Sequence, residues 1–350
     1  MRLKTETIKN IIKEWIKFAS KNSPVEAFEC FHFKANGDEL TISSHNGDTW
    51  YTATIPNIKE NIDMLVQAYK FYNYVKFIDS ETIEVKLDSG KCLVKADDEY
   101  IKIPTVQQEP FQKPNTEKQE NYCKVDYNKF KVSIDQVGRA VWKRAFKPML
   151  LCVNMKFKED KLILAGTDTF RLGKKTMSIN NNNLLLDINV DNNYLSQLPK
   201  DREVAYIKAD DRLFSLYFKL DGYKEEMHMV LNQESFPDYN QIIPSEKGKE
   251  ALYSIKELKQ AIHKASIVTE DLWLDVVGKE VSVSAIWEFS ADIQHEWAEY
   301  EVRVDWNHLE KVLWAFEAPT ISMYYNWDML TFTSEIDDNL TYILKPLTNN

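Results

Sequence analysis

Apolar residues recur at helical spacing near the start of the chain. Ile8, Ile12 and Trp15 fall on one face of a segment that predicts a helix over residues 8–20. Side chains four positions apart share a helix face, so the lysines of this segment form one stripe away from the predicted core. These lysines are Lys9, Lys13 and Lys17.

Short apolar runs separated by turn residues follow this helix. Asn36-Gly37 stands between two such runs and is a strong hairpin signal. A second amphipathic helix is predicted over residues 57–72. Strands are predicted at residues 27–34, 39–43, 49–55, 74–79, 81–87, 91–95 and 99–103.

This order of elements repeats along the chain. The segment Val190–Leu195 returns, slightly altered, as Val304–Leu309, an offset of 114 residues in a chain of 350. Polar segments containing proline, at residues 104–121 and 244–250, are typical of linkers. First helices are predicted at 8–20, 127–145 and 254–267, and second helices at 57–72, 192–198 and 306–316; the Asn-rich run 180–183 is predicted to be a loop. The pattern predicts an α+β chain of three similar modules, with domains at 1–120, 121–247 and 248–350.

The formal charge is segregated. The whole chain carries −10, whereas residues 8–20, 127–145 and 255–267 carry +2, +4 and +2, so the remainder carries −18. Lysine-rich helices are often ordinary solvated faces, and that reading remains open for each helix alone. The same sign at the same place in three modules favours one positive surface that contacts phosphates without reading bases. The candidate DNA contacts are Lys9, Lys13, Lys17, Lys21, Arg139, Lys143, Arg144, Lys147, Lys256, Lys259 and Lys264.

Several classes of function find little support in the sequence. The histidines are scattered without metal-ligand spacing, and no Walker loop, G-x-S-x-G or H-E-x-x-H motif occurs, so we expect no catalytic site, metal or cofactor. Asp168 and Arg171 are expected to fix a turn. The four cysteines lack C-x-x-C spacing and are expected to be structural thiols. With no apolar leader and no run of about 18 apolar residues, we expect a cytoplasmic protein without membrane contact.

Three motifs resemble the bacterial DNA polymerase III beta subunit, the replicative sliding clamp. The family has T-D-G-H-R-L, F-P-D-Y-x-x-(V/I)-(I/L)-P and a terminal Y-(V/L)-(V/I)-M-P-(M/L) in this order. The corresponding segments here are 167–172, 236–244 and 342–347, and residues 257–262 resemble the family's first helix of domain three. The F-P-D-Y motif is the most specific of the three. The resemblance extends weakly into residues 1–120 and clearly over 123–347.

The resemblance implies a ring formed by two chains joined head to tail, with DNA passing through the hole along the lysine stripes. It implies double-stranded DNA as a partner, and DNA polymerase and clamp loader subunits bound through short peptide motifs. It places Ile267 and Val268 where the third domain meets the first domain of the partner chain in a homodimer. The alternative, that both are core residues at a helix end, remains open.

The family also has an apolar groove between its second and third domains that binds client peptides. The matching positions are Leu150, Thr167, Arg171, Leu172, Pro237, Ile242, Ile343, Pro346 and Leu347. Thr169 and Phe170 replace the family's Gly-His, Gln241 replaces a common basic residue, and Lys345 replaces the terminal Met. These departures indicate a divergent clamp with an altered client set, and a mobile-element or phage origin would fit them.

Two functions follow from these patterns. The first is a sliding clamp that encircles duplex DNA, confers processivity and tethers a polymerase. The second keeps the clamp fold as a protein-binding scaffold for replication proteins that does not encircle DNA. Retention on closed circular DNA at high salt distinguishes them, since a surface binder is released as salt rises.

Overall fold

The computed structural model describes residues 1–107, 112–245, 249–265, 267, 271–277, 280–285, 289–294, 300–326 and 329–347. The first elements are β1 (Arg2–Lys4), α1 (Thr5–Trp15), β2 (Cys30–Asn36), β3 (Glu39–His45), β4 (Thr49–Pro56), β5 (Asn61–Gln67), α2 (Ala68–Val75), β6 (Thr82–Asp88), β7 (Lys91–Ala96) and β8 (Glu99–Val106). They are followed by β9 (Tyr122–Asp126), α3 (Tyr127–Gly138), β10 (Cys152–Phe157), β11 (Lys161–Thr167), β12 (Arg171–Ser178), β13 (Asn180–Asn182), β14 (Asp187–Asp191), α4 (Asn192–Leu195), β15 (Val204–Ala209), β16 (Leu213–Leu220) and β17 (Tyr223–Asn232). The last are β18 (Lys249–Ser254), α5 (Ile255–Ala265), β19 (Asp271–Val277), β20 (Glu280–Ala285), β21 (Phe289–Gln294), β22 (Tyr300–Asp305), α6 (Trp306–Ala315), β23 (Thr320–Tyr325), β24 (Leu330–Thr333) and β25 (Leu340–Leu344).

The order of these elements repeats three times along the chain. Each repeat has one strand, a first helix, a group of strands, a second helix and three closing strands. The strand pairings are antiparallel throughout the described registers. The prediction of an α+β chain of three similar modules is therefore confirmed.

The first compact unit comprises Met1–Asn128, Asn182–Leu184 and Gln197–Leu231. Its strands pair in the order β1-β6-β7-β8-β5-β2-β3-β4-β17-β16-β15-β9. The β4–β17 pairing joins the first repeat to the last strand of the second, with Tyr51 opposite Met227. One continuous sheet therefore connects the two repeats within this unit.

The second compact unit comprises Lys129–Asn181, Leu185–Ser196 and Asn232–Asn350. Its main sheet has the order β14-β10-β11-β12-β25-β24-β23-β18. A smaller sheet has the order β21-β20-β19-β22. The β12–β25 pairing repeats the connection seen in the first unit, because it joins the second repeat to the closing strand of the third.

Alternating apolar positions bury one face of the strands against the helices. In β2, Phe31 and Phe33 are fully buried, and their rings lie 6.2 and 5.0 Å from the ring of Phe71 in α2. Ile8 and Trp15 of α1 are buried in the same unit, as the helical spacing predicted. Burial of each such side chain contributes about 1.5–3 kcal/mol, so this layer is a main source of the unit's stability.

Several predicted element boundaries are wrong. The helix predicted over 8–20 ends at Trp15, because the chain turns there while Ile16 and Phe18 remain buried. The helix predicted over 127–145 ends at Gly138, where an added Cβ would lie 2.6 Å from Asn192 Oδ1. An apolar pattern can thus continue beyond a helix wherever the following turn is buried.

The segment predicted as a helix over 57–72 contains the strand β5 at Asn61–Gln67, and only residues 68–72 are helical. Residues of β5 pair with both β2 and β8, and only the end of the segment enters α2. Central position in the sheet outweighed the local helical spacing, as tertiary pairing commonly does. The strand predicted at 74–79 is instead the end of α2 and a turn, and the Asn-rich run predicted as a loop contains β13.

Candidate functional site

The turn between β11 and β12 is held by side chains of its own sequence. Asp168 Oδ1 accepts hydrogen bonds from the backbone N–H groups of Phe170 (3.1 Å) and Arg171 (3.0 Å). Thr167 Oγ1 donates to the carbonyl of Arg171 at 2.7 Å and accepts from the N–H of Thr169 at 3.1 Å. The threonine and aspartate at the start of the motif therefore fix the path of the chain into β12.

Asp168 and Arg171 also form a buried ion pair. Arg171 Nη2 lies 2.9 Å from Asp168 Oδ2, and the two side chains are 2% and 4% exposed. Arg171 Nη1 donates to the carbonyl of His308 at 3.4 Å. Since a buried charge without a partner is costly, the pair supports a fixed conformation of the turn beside α6.

His308 links this turn to the start of α6. The carboxylate of Asp305 caps the helix by accepting from the N–H groups of Asn307 (2.8 Å) and His308 (3.3 Å). Burial lowers the pKa of His308, while the nearby Asp305 carboxylate partly opposes that shift and the Arg171 guanidinium adds to it. The site therefore favours a neutral imidazole.

An apolar cluster lies beside the turn. Leu172 and Ile343 are opposite each other in the β12–β25 ladder and are 1% and 2% exposed. Around them pack residues that the sequence analysis did not assign to the groove: Ala165, Phe236, Tyr239, Ile243 and Met329. The F-P-D-Y motif over residues 236–244 contained three of them, so the signal for Phe236, Tyr239 and Ile243 was present. No comparable signal marked Met329, whose position depends on the fold.

The F-P-D-Y segment supplies one wall of this groove. Tyr239 begins a short 3-10 turn and is buried in the cluster. Pro237 is half-buried, and the N–H of Ile242 donates to the Tyr239 carbonyl at 3.3 Å. Ile242 is 41% exposed, which leaves apolar surface open beside the buried cluster. The Gln241 side chain donates to Asp238 Oδ2 at 3.2 Å, so it stabilises its own turn.

The end of the chain supplies the opposite wall. The N–H of Lys345 donates to the Phe170 carbonyl at 2.8 Å, and the N–H of Leu347 donates to the Arg303 carbonyl at 2.8 Å. Pro346 and Leu347 remain half-buried. Leu150 is buried in the 3-10 turn before β10, and its carbonyl accepts from the N–H of Trp142 at 3.2 Å.

The basic side chains of the first repeat are only partly helical. Lys9 and Lys13 lie one turn apart on α1, with Lys9 half-buried and Lys13 exposed. Lys17 and Lys21 lie beyond the helix end, which corrects the predicted helical stripe. Lys17 Nζ is 2.7 Å from Glu14, and Lys21 Nζ lies 4.4 Å from the centre of the Tyr69 ring.

The candidate DNA contacts of the second repeat follow α3 instead of lying on it. The sequence placed Arg139, Lys143 and Arg144 on a helix. All three, with Lys147, are exposed in the segment between Gly138 and β10. A loop lets cations point in several directions. This segment is therefore a different surface from the helical face that the sequence predicted.

In the third repeat the basic residues do lie on a helix. Lys256 and Lys264 are exposed on α5, and Lys259 Nζ lies 3.7 Å from the centre of the Trp314 ring. Burial lowers the pKa of Lys259, and the nearby Arg139 guanidinium lowers it further. Basic side chains from the second and third repeats therefore share one electrostatic environment within this unit.

The other predictions concern the partner contact, metals and thiols. Ile267 is exposed, at 76%, and Val268 lies outside the described residues. Across the described ranges, no group of three or more His, Cys, Asp or Glu side chains is placed to hold a metal ion. Burial raises the pKa of each of the four cysteine thiols to about 12, which disfavours the reactive thiolate. No helix within the described residues is long and apolar enough to cross a bilayer.

Comparison with known proteins agrees with this geometry. The family model for the DNA polymerase III beta subunit, central domain, matches residues 124–200. The beta sliding clamp of Borreliella burgdorferi is 22% identical over 272 residues, covering 71% of this chain and 69% of that protein. The beta sliding clamp of Bacillus subtilis is 19% identical over 299 residues, covering 74% and 72%. The crystal structure of the Pseudomonas aeruginosa DNA polymerase III subunit beta has a TM-score of 0.90 at 14% identity, with 100% of each chain covered.

The chain has the fold of DNA polymerase III beta subunits, and its residues 124–200 match the central domain of that family. It departs from the family at residues 169–170, where the family motif has Gly-His. Thr169 adopts a φ of +75°, a conformation that suits glycine and strains a β-branched residue. Phe170 is 44% exposed, and its ring stacks on the His308 imidazole with centroids 5.5 Å apart. An aromatic pair therefore occupies one rim of the groove.

Proposed function

We propose that this chain is a DNA sliding clamp. Two copies join head to tail, enclose double-stranded DNA without sequence specificity, and tether a DNA polymerase and clamp loader subunits through short peptides bound in the groove. In this proposal the chain is a processivity factor and catalyses no reaction. The domains at 1–120, 121–247 and 248–350 are the proposed modules of the ring.

The groove is the observation that carries this proposal. It places a buried apolar cluster next to exposed apolar surface at Ile242, and the buried Asp168–Arg171 pair fixes its rim. A small apolar concavity with a few polar anchors suits a linear peptide with an aliphatic or aromatic side chain as its anchor. Curated relatives of this chain are named beta sliding clamps, which supports the same assignment.

The DNA contact is proposed to be distributed over many cations. It comprises the basic residues of the three repeats named above, of which Lys13, Arg144 and Lys256 are exposed examples. Each exposed contact to phosphate is weak and screened by salt, so no single residue should dominate. Replacing one lysine by alanine should weaken DNA retention only modestly, and loss of loading from one substitution would contradict the distributed contact.

DNA topology provides the decisive experiment. The protein is loaded onto nicked circular DNA, the salt concentration is raised, and the retained fraction is measured before and after the circle is cut. A ring stays on the closed circle and slides off the linear product. Release from both forms at high salt would support the scaffold that does not encircle DNA.

The groove is tested separately by removing residues 346–350. This deletion takes away Pro346 and Leu347 but leaves β25 and its pairing with β12 intact. Binding of a client peptide, measured by anisotropy, should be lost while the mass in solution and retention on circles are unchanged. Unchanged peptide affinity would refute the assignment of these residues to the groove.

The ring contact is proposed to include Ile267 and Val268. The exposure of Ile267 supports a contact with a second chain over the alternative of a core position. An Ile267→Lys variant should shift the mass in solution from dimer to monomer, because an interface that buries an unpaired charge is destabilised. The matched control is Ile336→Lys, at another exposed isoleucine of the third repeat. A dimeric Ile267→Lys variant would exclude this position from the interface.

A further inference from the structure

A cleft of about 660 Å³ lies in the second unit, beside the client groove but formed by other residues. Its walls come from the end of α3, the segment after it, the start of α4 and one residue of α6. The volume lies within the ~300–1,000 Å³ range of clefts that hold a small ligand. The residues that line it are Asp135, Gly138, Arg139, Val141, Trp142, Lys143, Arg144, Asn192, Ser196 and Lys311.

The cleft carries a concentrated positive charge. Four of its lining residues are cationic, and within the described part of the chain none of them forms an ion pair with a carboxylate: Arg139, Lys143, Arg144 and Lys311. Its one acidic residue, Asp135, lies 2.6 Å from Lys131 Nζ and is thereby paired outside the cleft. These four cations therefore have no ion-pair partner among the described residues, and a bound anion would supply one.

The electrostatics of Lys311 agree with this crowding. Burial lowers the pKa of Lys311, and the Arg171 guanidinium lowers it further; the Asp168 carboxylate opposes this shift, Lys143 adds to it, and Asp305 opposes it. The charged form of a lysine that is repelled by neighbouring cations is stabilised when a phosphate binds beside it. Lys311 was not predicted as a site residue, because one lysine on the second helix has no distinctive pattern.

Trp142 adds an aromatic surface to the same cleft. Its indole N–H donates to the Asp168 carbonyl at 2.6 Å, so the ring is anchored at one edge. The side chain is 39% exposed, which leaves part of the ring available to a ligand. Phe146, on the same segment, is fully exposed. Aromatic rings alternating with cations are the arrangement by which proteins hold unpaired bases and their phosphates.

We infer that this cleft binds single-stranded DNA, with an unpaired base stacked on Trp142 and its phosphates against Arg144 and Lys311. The inference rests on the proposed function, because it places an unpaired strand next to cations proposed to contact duplex DNA. Stacking is sequence-tolerant, so the site would accept any base. An acidic peptide would satisfy the cations but would make no use of the anchored indole.

The experiment measures the affinity of the full-length protein for a fluorescent oligo(dT) of about ten nucleotides. A second probe has the same length and backbone but lacks bases. Trp142→Ala should weaken oligo(dT) binding between about fivefold and a hundredfold, the range of one lost stacking contact. It should leave binding of the abasic probe unchanged. Trp142→Phe loses the hydrogen bond but keeps a ring, so it should retain most of the affinity.

Charge is tested with a matched pair of lysines. Lys311→Ala should weaken both probes, because it removes a phosphate contact. Lys158→Ala removes the same charge from an exposed position that does not line the cleft, and should change neither. Thermal unfolding of each variant establishes that the fold is intact.

Three results would overturn the inference. The first is equal binding of both probes by the unsubstituted protein. The second is an unchanged oligo(dT) affinity in Trp142→Ala. The third is displacement of the oligonucleotide by a glutamate-rich peptide whose binding requires Lys311, with Trp142→Ala changing the binding of neither the peptide nor the oligonucleotide. The cleft would then bind acidic segments of client proteins. Retention of these variants on circular duplex separates the outcomes, since the ring can persist without the single-strand site.

Discussion

Replacing Asp168 by asparagine tests the role of the buried ion pair in the client groove. Asparagine has the same shape and keeps an oxygen that can accept from the N–H groups of Phe170 and Arg171. The change therefore removes the negative charge and also places the amide Nδ2, a donor, where Oδ2 now accepts from the Arg171 guanidinium. Arg171, whose side chain is 2% exposed, would be left with a weak contact to the His308 carbonyl at 3.4 Å.

The expected loss of stability follows from the burial of the Arg171 side chain. Removing one partner of a buried pair costs about 3–5 kcal/mol, because the remaining charge is neither solvated nor neutralised. The His308 carbonyl compensates part of this, so we expect a loss of about 3 kcal/mol in the stability of the turn. Since each 1.4 kcal/mol is a factor of ten, amide exchange that depends on opening of the turn should accelerate by about a hundredfold.

Hydrogen exchange of segments covering β11 and β12 measures this directly, without assuming that the whole chain unfolds in one step. The double variant Asp168→Asn/Arg171→Met contains no buried charge and should recover part of the lost protection. Client peptide affinity should fall in the single variant and recover in the double. Exchange rates within about threefold of the unsubstituted protein in Asp168→Asn would refute the reasoning.

Three further outcomes are expected. Burial lowers the pKa of His45 from 6.5 to about 4, so its contribution to stability is present above pH 6.5 and is lost as pH falls. About 2 kcal/mol of unfolding free energy should be lost between pH 7 and pH 5. Thermal unfolding of His45→Phe should show no such loss. Thr169→Gly should stabilise the protein by about 1 kcal/mol, more than Asn183→Gly does, because asparagine tolerates positive φ better than a β-branched residue; a smaller gain in melting temperature than the control's would contradict the strain. Gly173→Ala should cost about 1–3 kcal/mol in urea unfolding and weaken client binding, since its Cβ would lie 2.8 Å from the Tyr342 ring; an unchanged variant would show that the ring can move freely.

Local patterns in the sequence predicted the repeated order of elements. Helical spacing located the starts of the first helices, and the return of Val190–Leu195 as Val304–Leu309 located two second helices, which begin at Asn192 and Trp306. In both copies the aspartate before the helix is its N-cap, accepting from backbone N–H groups. A capping residue acts on backbone groups only a few positions away, so the starts of these helices could be predicted from the local sequence.

The predictions that were wrong concern segments whose secondary structure is determined by contacts with distant parts of the chain. Residues 61–67 carry helical spacing, but β5 lies between β2 and β8, a position that depends on strands far along the chain. Residues 139–147 continue the basic pattern of α3 but leave the helix after Gly138, which packs too closely against Asn192 to carry a side chain. Strand pairing between distant residues and close packing of the backbone produce little local pattern in a single sequence, so they are difficult to predict from it.

The residues of the candidate site are likewise of two kinds: those that a sequence motif predicts and those that only the packing of the fold places there. Thr167 and Leu172 were assigned to the groove and Asp168 to a turn from one motif; the structure places Thr167 and Asp168 in the β11–β12 turn and Leu172 in the adjacent apolar cluster. Met329 and Lys311 come from parts of the chain without a motif and reach their positions only through the packing of the third repeat. Their roles at the groove and at the cleft remain predictions for the experiments above.

The pairing of β12 with β25 has a consequence for synthesis of the protein on the ribosome. Arg171 and Leu172 find their strand partners only at Leu344 and Ile343, more than 170 residues later in the chain. A nascent polypeptide still attached to its ribosome thus lacks a finished docking surface, even when its first two repeats have already emerged. Prematurely terminated products that end before residue 340 would lack β25, and with it the surface proposed to bind polymerase, so they would not compete with intact molecules for it.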